Sequence, residues 1–154
     1  MKIVYLADHP QHVSTVAKWI MDQWGHESPG MTQESLEEKF RTHLNRNAVP
    51  LTLLAIEADR PLGTASLVFY DMQDRQELSP WLAAMYVLPE YRGKGIGSKL
   101  VKVIELLSAS FDVEQLYLFT PDRESFYART KWTVLERTSF REKDVVIMVK
   151  SIQD

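Results

Sequence analysis

The stretch of sequence that decides the fold is Tyr91-Arg92-Gly93-Lys94-Gly95-Ile96-Gly97-Ser98-Lys99-Leu100, in which three glycines alternate with larger residues. The preceding residues 81–88 form an unbroken apolar run, which predicts a strand buried on both faces and ended by Pro89. Apolar residues then recur at helical spacing from Ile96 to Leu107, so we expect a helix that begins at the glycines. Bare backbone N–H groups at a helix start bind anions. The stretch therefore predicts a phosphate-binding turn between a strand and a helix.

Composition limits the classes of protein to which the chain can belong. The 154 residues are 45% hydrophobic and 25% charged, which suits one globular domain over residues 1–154. No apolar run approaches the roughly 20 residues of a membrane helix, so we expect a cytoplasmic protein with no membrane partner. The net charge of −3 makes nucleic acid a poor partner. The absence of cysteine excludes disulfides, thiolate metal sites and a cysteine nucleophile.

The rest of the chain alternates between helical and strand patterns. Strands are predicted over residues 2–6, 51–58, 64–70, 81–88, 115–120, 134–140 and 145–150. Helices are predicted over residues 13–24, 32–44, 96–107 and 121–128. We expect tight connections at residues 59–63 and 141–144. The pattern indicates a mixed α/β (α+β) domain of about seven strands and about four helices, with one β-α-β crossover at its centre.

Several phosphate-binding patterns compete for the glycine turn. The spacing of its glycines matches neither G-x-G-x-x-G nor G-x-x-x-x-G-K-[ST]. A dinucleotide fold also places its glycines after the first strand, whereas roughly 90 residues precede them here. The pattern that fits is Arg/Gln-x-x-Gly-x-Gly/Ala at residues 92–97, preceded by a strand that ends in Val87-x-Pro89.

With these residues the sequence resembles the GNAT superfamily of acetyl-CoA-dependent N-acetyltransferases. The order of elements agrees, and Phe126-Tyr127 falls where the family carries a tyrosine on a short helix after the fifth strand. One departure is Lys131, since many relatives have glycine before the aromatic residue that stands here as Trp132. The resemblance implies a mostly antiparallel sheet whose fourth and fifth strands splay apart, with the pantetheine arm of the coenzyme between them.

The resemblance also implies which residues hold the donor, acetyl-CoA. Backbone N–H groups of the glycine turn would bind the pyrophosphate, and the fourth strand would pair with the pantetheine and direct an N–H at the thioester oxygen. Tyr127 would be the general acid that protonates the departing thiolate. Lys94 and Lys99 either add charge for the phosphates or are solvated. The implied cofactor-binding residues are Met85, Tyr86, Val87, Arg92, Gly93, Lys94, Gly95, Ile96, Gly97 and Ser98.

The sequence does not identify the general base. An aliphatic amine is mostly protonated at neutral pH, so a carboxylate, acting directly or through water, must accept its proton. Four acidic residues lie in loops that could reach the acceptor, and none is preferred: Glu27, Asp71, Asp74 and Glu77.

The histidines do not indicate a metal site. Their spacing is unlike that of zinc ligands, and no cysteine is present to complement them. We therefore expect no bound metal. The four histidines are His9, His12, His26 and His43.

The function expected from the resemblance is direct transfer of an acetyl group from acetyl-CoA to a primary amine of a small molecule or peptide, in a ternary complex. The loop at residues 25–31 and the turn at residues 140–144 would form the acceptor pocket, which Trp24 could reach. Acidic loops would suit a cationic acceptor such as a polyamine, an aminoglycoside-like compound or a peptide amine. The alternative is a catalytically inactive coenzyme A-binding or nucleotide-binding regulatory module. A homodimer through the C-terminal strands is compatible with such folds.

Overall fold

The structure is a computed structural model that describes residues 1–153. The strands are β1 (Lys2–Tyr5), β2 (Leu51–Glu57), β3 (Arg60–Val68), β4 (Trp81–Val87), β5 (Gln115–Thr120), β6 (Thr133–Phe140) and β7 (Lys143–Ser151). The α-helices are α1 (Val13–Trp24), α2 (Gln33–Arg41), α3 (Ile96–Ser110) and α4 (Glu124–Ala128). One sheet contains all seven strands in the order β1-β2-β3-β4-β5-β7-β6. The predicted fold class and element count are confirmed.

The β4–β5 pair is the one parallel neighbour pair in this sheet, and it is nearly open. Its register contains a single pair, Trp81 with Tyr117, and the two strands diverge beyond that point. As a result only residues 81–83 of β4 are buried, and residues 84–87 are half-buried. The predicted splay is confirmed, and it explains why the expectation of complete burial for residues 81–88 is wrong.

The β2–β3 hairpin is tighter than the sequence suggested. Ala58 and Asp59 both have positive φ, 49° and 64°, which is the backbone of a two-residue type I′ turn. β3 therefore begins at Arg60, and the connection predicted over residues 59–63 is wrong. Pro61 is accommodated inside the strand because the β2–β3 register shifts at this point, between Ala55 and Ile56.

Two further boundaries differ from expectation. The β6–β7 turn consists of Arg141 and Glu142, with φ values of 52° and 67°, so it is shorter than the predicted residues 141–144. β3 ends at Val68, and the two aromatic side chains predicted to continue it, Phe69 and Tyr70, are exposed. The positive φ values at Arg141 and Glu142 set the β6–β7 turn, and an apolar pattern does not report them.

The core has a layer on each side of the sheet. Adjacent residues of a strand face opposite sides, so Leu53 packs in the layer that contains α3 and Leu54 packs in the layer that contains α1 and α2. Burial of each such leucine contributes roughly 1.5–3 kcal/mol to folding. Within residues 1–153, no helix has both the length and the apolar character needed to cross a membrane.

Candidate functional site

The separation of β4 and β5 produces a cleft with a volume of about 940 Å³. We call it the β4–β5 cleft. Its walls are the two strands, the start of α3 and helix α4. Its rim is formed by the end of α1, helix α2, the loop after β3 and the β6–β7 turn. A cleft of this size can enclose a cofactor-sized ligand.

The glycine turn brings an uncapped helix N-terminus to the cleft. Gly93 and Gly95 have φ values of 78° and 85°, a backbone conformation that glycine adopts without strain. Gly95 is the N-cap of α3 and makes no side-chain cap hydrogen bond. The first N–H bonded within this turn is that of Lys99, which donates to the Gly95 carbonyl at 3.1 Å. The N–H groups of residues 96–98 are therefore available to an anion, and the helix dipole favours negative charge there.

The third glycine serves close packing. A Cβ at Gly97 would lie 2.9 Å from Cε of Met85 and 3.5 Å from Cζ of Phe126. The small residue lets the first turn of α3 approach both β4 and α4.

Arg92 fixes the turn to the end of β4. Its Nε donates a hydrogen bond of 2.7 Å to the Val87 carbonyl, and its guanidinium lies 5.4 Å from the centroid of the Tyr86 ring. Lys94 is the one residue of the implied cofactor set that does not line the cleft, since its ammonium lies over the ring of Tyr91 at 5.4 Å. The other members line it: Met85, Tyr86, Val87, Arg92, Gly93, Gly95, Ile96, Gly97 and Ser98.

A bulge in β4 lines the cleft where the separation of β5 leaves the edge of β4 without a partner. Ala83 pairs with Ser66 and Tyr86 pairs with Thr64, so Ala84 and Met85 have no register partner on β3. Ala84 has a φ of 51°, which is unusual for a residue with a Cβ. Sequence reasoning missed this bulge because alanine does not signal a positive φ. The bulge occurs where the resemblance implies an N–H directed at a thioester oxygen.

Tyr127 lies on α4, is only 6% exposed and lines the cleft. Its ring packs edge-on against Phe126 and Trp132, with centroids 5.0 and 6.0 Å away. Burial raises the pKa of its phenol to about 12; Arg123 lowers this pKa and Asp122 raises it, both by less. The phenol is therefore protonated throughout the physiological pH range.

The structure separates the four acidic residues considered as bases. Asp71 and Glu27 line the cleft, whereas Asp74 and Glu77 do not. Glu27 is engaged by the Lys143 ammonium at 2.8 Å. The half-buried Asp71 carboxyl makes no ion pair within the described residues, and burial raises its pKa to about 6 although Lys39 and Arg141 lower it. Of the four, Asp71 is the available carboxyl with a pKa close to neutrality.

A buried polar chain that the sequence did not reveal also reaches the cleft. His43 Nδ1 is 3.0 Å from Oγ1 of Thr52, which is 2.7 Å from Oγ of Ser66. His43 and Ser66 line the cleft, and all three residues are at most 4% exposed. Burial, with a smaller contribution from the charge of Lys39, lowers the pKa of His43 to about 4, so this histidine is neutral at pH 7.

Two other histidines approach a carboxylate outside the cleft. His9 Nδ1 and His12 Nε2 lie 3.8 and 3.4 Å from Oδ1 of Asp59, which belongs to the β2–β3 turn. These three residues are close enough to share a metal ion. Sequence spacing could not show this because the hairpin supplies Asp59 from a distant part of the chain.

Comparison with known proteins gives consistent matches. The family model for the acetyltransferase (GNAT) domain matches residues 50–133. An aminoglycoside 6'-N-acetyltransferase from Enterococcus faecium is similar in structure, with a TM-score of 0.77 and 16% identity over 100% of this chain and 98% of that chain. An aminoglycoside 6'-N-acetyltransferase complexed with coenzyme A has a TM-score of 0.76 and 17% identity, over 100% of this chain and 98% of that chain. A protein from Salmonella typhimurium whose structure contains acetyl-CoA has a TM-score of 0.76 and 14% identity, over 99% of this chain and 94% of that chain. No curated protein matches significantly in sequence.

Proposed function

This chain belongs to the GNAT acetyltransferase family, and we propose that it transfers the acetyl group of acetyl-CoA directly to a primary amine of a small molecule or peptide. The observation that carries the proposal is the course of the β4–β5 cleft. It joins an anion-binding helix start, an unpaired strand edge, a protonated phenol and an available carboxyl. Those are the groups that acyl transfer from a phosphorylated thioester requires.

Donor binding is assigned to main-chain groups. The pyrophosphate would accept hydrogen bonds from the N–H groups of residues 96–98 at the start of α3. The pantetheine would occupy the gap that β4 and β5 leave beyond the Trp81–Tyr117 pair. An N–H at Met85 or Tyr86, next to the bulge, would stabilise the negative charge that develops on the thioester oxygen.

In the reaction we propose, the amine nitrogen attacks the thioester carbon, a C–N bond forms, and the C–S bond then breaks. The nitrogen loses a proton and the sulfur gains one, so the products are an amide and the free thiol of coenzyme A. Asp71 is the proposed acceptor of the nitrogen's proton. Its pKa of about 6 makes it a stronger base than His43, whose pKa is about 4, while it is still largely ionised at pH 7.

Tyr127 is the proposed donor to the departing sulfur. A phenol with a pKa of about 12 is a weaker acid than an ordinary thiol, whose pKa is about 8.5. Complete transfer of its proton to the thiolate is therefore unfavourable by itself. The chemistry supports a hydrogen bond from the phenol that stabilises the leaving thiolate, followed by proton uptake from solvent as the thiol forms.

The test combines binding and turnover. Acetyl-CoA should raise the melting temperature, since ligand at 100 times its Kd adds about 2.7 kcal/mol to stability. A panel of amines should then release free thiol. Stabilisation by acetyl-CoA without thiol release would support the inactive coenzyme A-binding module, and stabilisation by ATP or NAD instead would support the nucleotide-binding regulator. Either result would overturn the proposal.

The proposal treats residues 1–154 as one N-acetyltransferase domain that acts in the cytoplasm. It assigns no role to nucleic acid, a membrane or a metal in the reaction. A homodimer through the C-terminal strands would be seen as a doubled mass in light scattering.

A further inference from the structure

The acceptor end of the β4–β5 cleft holds more positive than negative charge. It is lined by Lys39 on α2, Arg141 in the β6–β7 turn and Lys143 at the start of β7, and by the carboxyls of Glu27 and Asp71. Lys143 is already paired with Glu27 at 2.8 Å. Within residues 1–153, neither Lys39 nor Arg141 forms an ion pair with a carboxylate.

The two unpaired cations act at Asp71. Both line the same cleft as the Asp71 carboxyl, and both lower its pKa, although its burial outweighs them. Lys39 also lowers the pKa of His43. α2, the loop after β3 and the β6–β7 turn thus bring two cations and one carboxyl together from positions far apart in the chain.

This charge cluster is distinct from the phosphate-binding turn. Val68, three residues before Asp71, pairs with Trp81 at the start of β4, whereas the glycine turn follows Val87 at its end. Six residues of extended strand span roughly 20 Å. The pyrophosphate site and the Asp71 cluster therefore belong to opposite ends of β4.

Arg141 is held in place at the rim. Its guanidinium lies 4.8 Å from the centroid of the Phe140 ring, which packs edge-on against Phe119 of β5 at 5.3 Å. A guanidinium that lies over an aromatic ring can still donate two parallel N–H hydrogen bonds to a planar anion such as a carboxylate. Less entropy is lost on binding when the cation is already oriented.

The wall next to the cations is apolar and aromatic. Trp24, Met31, Phe40 and Phe140 line the cleft, and Phe40 lies on the same helix as Lys39. A polyhydroxylated polycation would place further positive charge against Lys39 and Arg141, and like charges at this range repel. The acidic loops alone favour a cationic acceptor, whereas Lys39 and Arg141 oppose one.

We propose that Lys39 and Arg141 form an anion subsite, and that the acceptor is a small amine that carries a carboxylate and an apolar body, as an apolar amino acid does. This proposal rests on the proposed acetyl transfer. Asp71 would face the amine while the two cations bind the carboxylate. The subsite would orient the nitrogen towards the thioester by holding the group next to it.

The test measures thiol release from acetyl-CoA with matched acceptors. The panel contains each apolar L-amino acid, the corresponding amine without a carboxylate, and the polycations spermidine and tobramycin. We expect at least one amino acid to have a kcat/KM at least tenfold above that of its carboxylate-free partner and above both polycations. Turnover of polycations or carboxylate-free amines alone would overturn the anion subsite and leave acetyl transfer standing. No thiol release with any amine would overturn both.

Two variants test the residues. Lys39→Gln and Arg141→Gln should each raise the KM for the preferred amino acid at least tenfold, with a much smaller change in kcat. The matched control is Arg41→Gln, an exposed cation on the same helix that pairs with Glu37 outside the cleft. Its KM should remain at the wild-type value. Equal KM values in all three variants would contradict the subsite, and because Lys39 and Arg141 are exposed their replacement should leave the fold intact.

Discussion

The indole Nε1 of Trp132 donates a hydrogen bond of 3.1 Å to Oε2 of Glu105, a carboxylate that is 8% exposed. The ammonium of Lys150 lies 2.8 Å from the other carboxylate oxygen. These contacts join α3, the segment after α4 and β7 at one buried point. Since Trp132 also packs against Tyr127, the same point supports the helix that carries the proposed donor to sulfur.

We expect Glu105→Gln to destabilise the protein by about 1–3 kcal/mol, because Lys150 would lose its charged partner in a buried setting. Urea unfolding measures the change in the free energy of unfolding. Glu38→Gln on the exposed face of α2 is the control and should have little effect. Equal stabilities of the two variants would contradict the role of Glu105.

We expect Tyr127→Phe to lower kcat by one to two orders of magnitude and to leave the acetyl-CoA-induced thermal shift unchanged. Within residues 1–153 the Tyr127 hydroxyl forms no hydrogen bond, and Thr130 Oγ1 donates to the Tyr127 backbone carbonyl instead, so removal of the hydroxyl should not reduce the melting temperature. Because the pKa of Tyr127 is about 12, wild-type activity should show no fall from its ionisation below pH 10. Unchanged turnover in the variant would rule out the assignment.

Asp71→Asn should reduce kcat at pH 8 at least tenfold and abolish a rise of kcat with pH through about 6, where the wild-type carboxyl ionises. The stability of the wild-type fold should fall over the pH range in which kcat rises. The folded-state pKa is raised, so ionisation disfavours the folded state and stability is lost as pH rises through about 6.

The asparagine variant should therefore melt at a higher temperature than wild type above pH 6, and this advantage should disappear towards pH 4. Asp74→Asn, an exposed neighbour outside the cleft, is the matched control for both measurements. If Asp74→Asn reproduced the effects of Asp71→Asn, the base would have to be reassigned.

Gly95→Ala should cost about 1–2 kcal/mol, the usual penalty for a left-handed residue with a Cβ, since φ is 85° at this position. It should also weaken acetyl-CoA binding, which isothermal titration calorimetry would measure. Gly30→Ala serves as control because Gly30 lacks a positive φ and a Cβ at this position would have open space for 4 Å around it. Comparable losses in both variants would show that backbone conformation at Gly95 is unimportant.

Lys131→Gly should raise the free energy of unfolding by about 1 kcal/mol, because Lys131 has a φ of 75° at the position where the resemblance expects glycine. Lys102→Gly, on the exposed face of α3, should lower it by a similar amount. The two substitutions are identical in chemistry and opposite in expected sign. A loss of stability in both would refute the interpretation of Lys131.

Features that depend on the type of a single residue could be predicted from the sequence, whereas features that depend on contacts between distant residues could not. A positive φ at Gly93 and Gly95 agrees with the glycines of the sequence, whereas Ala58 and Ala84 adopt positive φ with no signal in their residue type. The positions of the strands along the chain followed from apolar periodicity, whereas their order in the sheet and the β4 bulge depend on pairing between strands.

The ion pairs of the cleft could not be predicted from the sequence, because their partners are far apart in the chain. From the sequence alone, Glu27 and Asp71 were equally suitable as bases, since both are acidic residues in predicted loops. Lys143, which is 116 residues from Glu27, engages one of them and leaves the other available. The chain of His43, Thr52 and Ser66 likewise joins three elements through side chains, so no local pattern predicts it.

The single register pair between β4 and β5 makes the sheet two slabs, β1–β4 and β5–β7, with a seam between them. Backbone amides along the seam lack strand partners, so they should exchange with deuterated solvent faster than their neighbours. A ligand lying in the seam would act as the missing strand and fasten the slabs together. Occupancy by the donor would then stiffen the whole sheet, and the acceptor would meet a more rigid protein than the donor did.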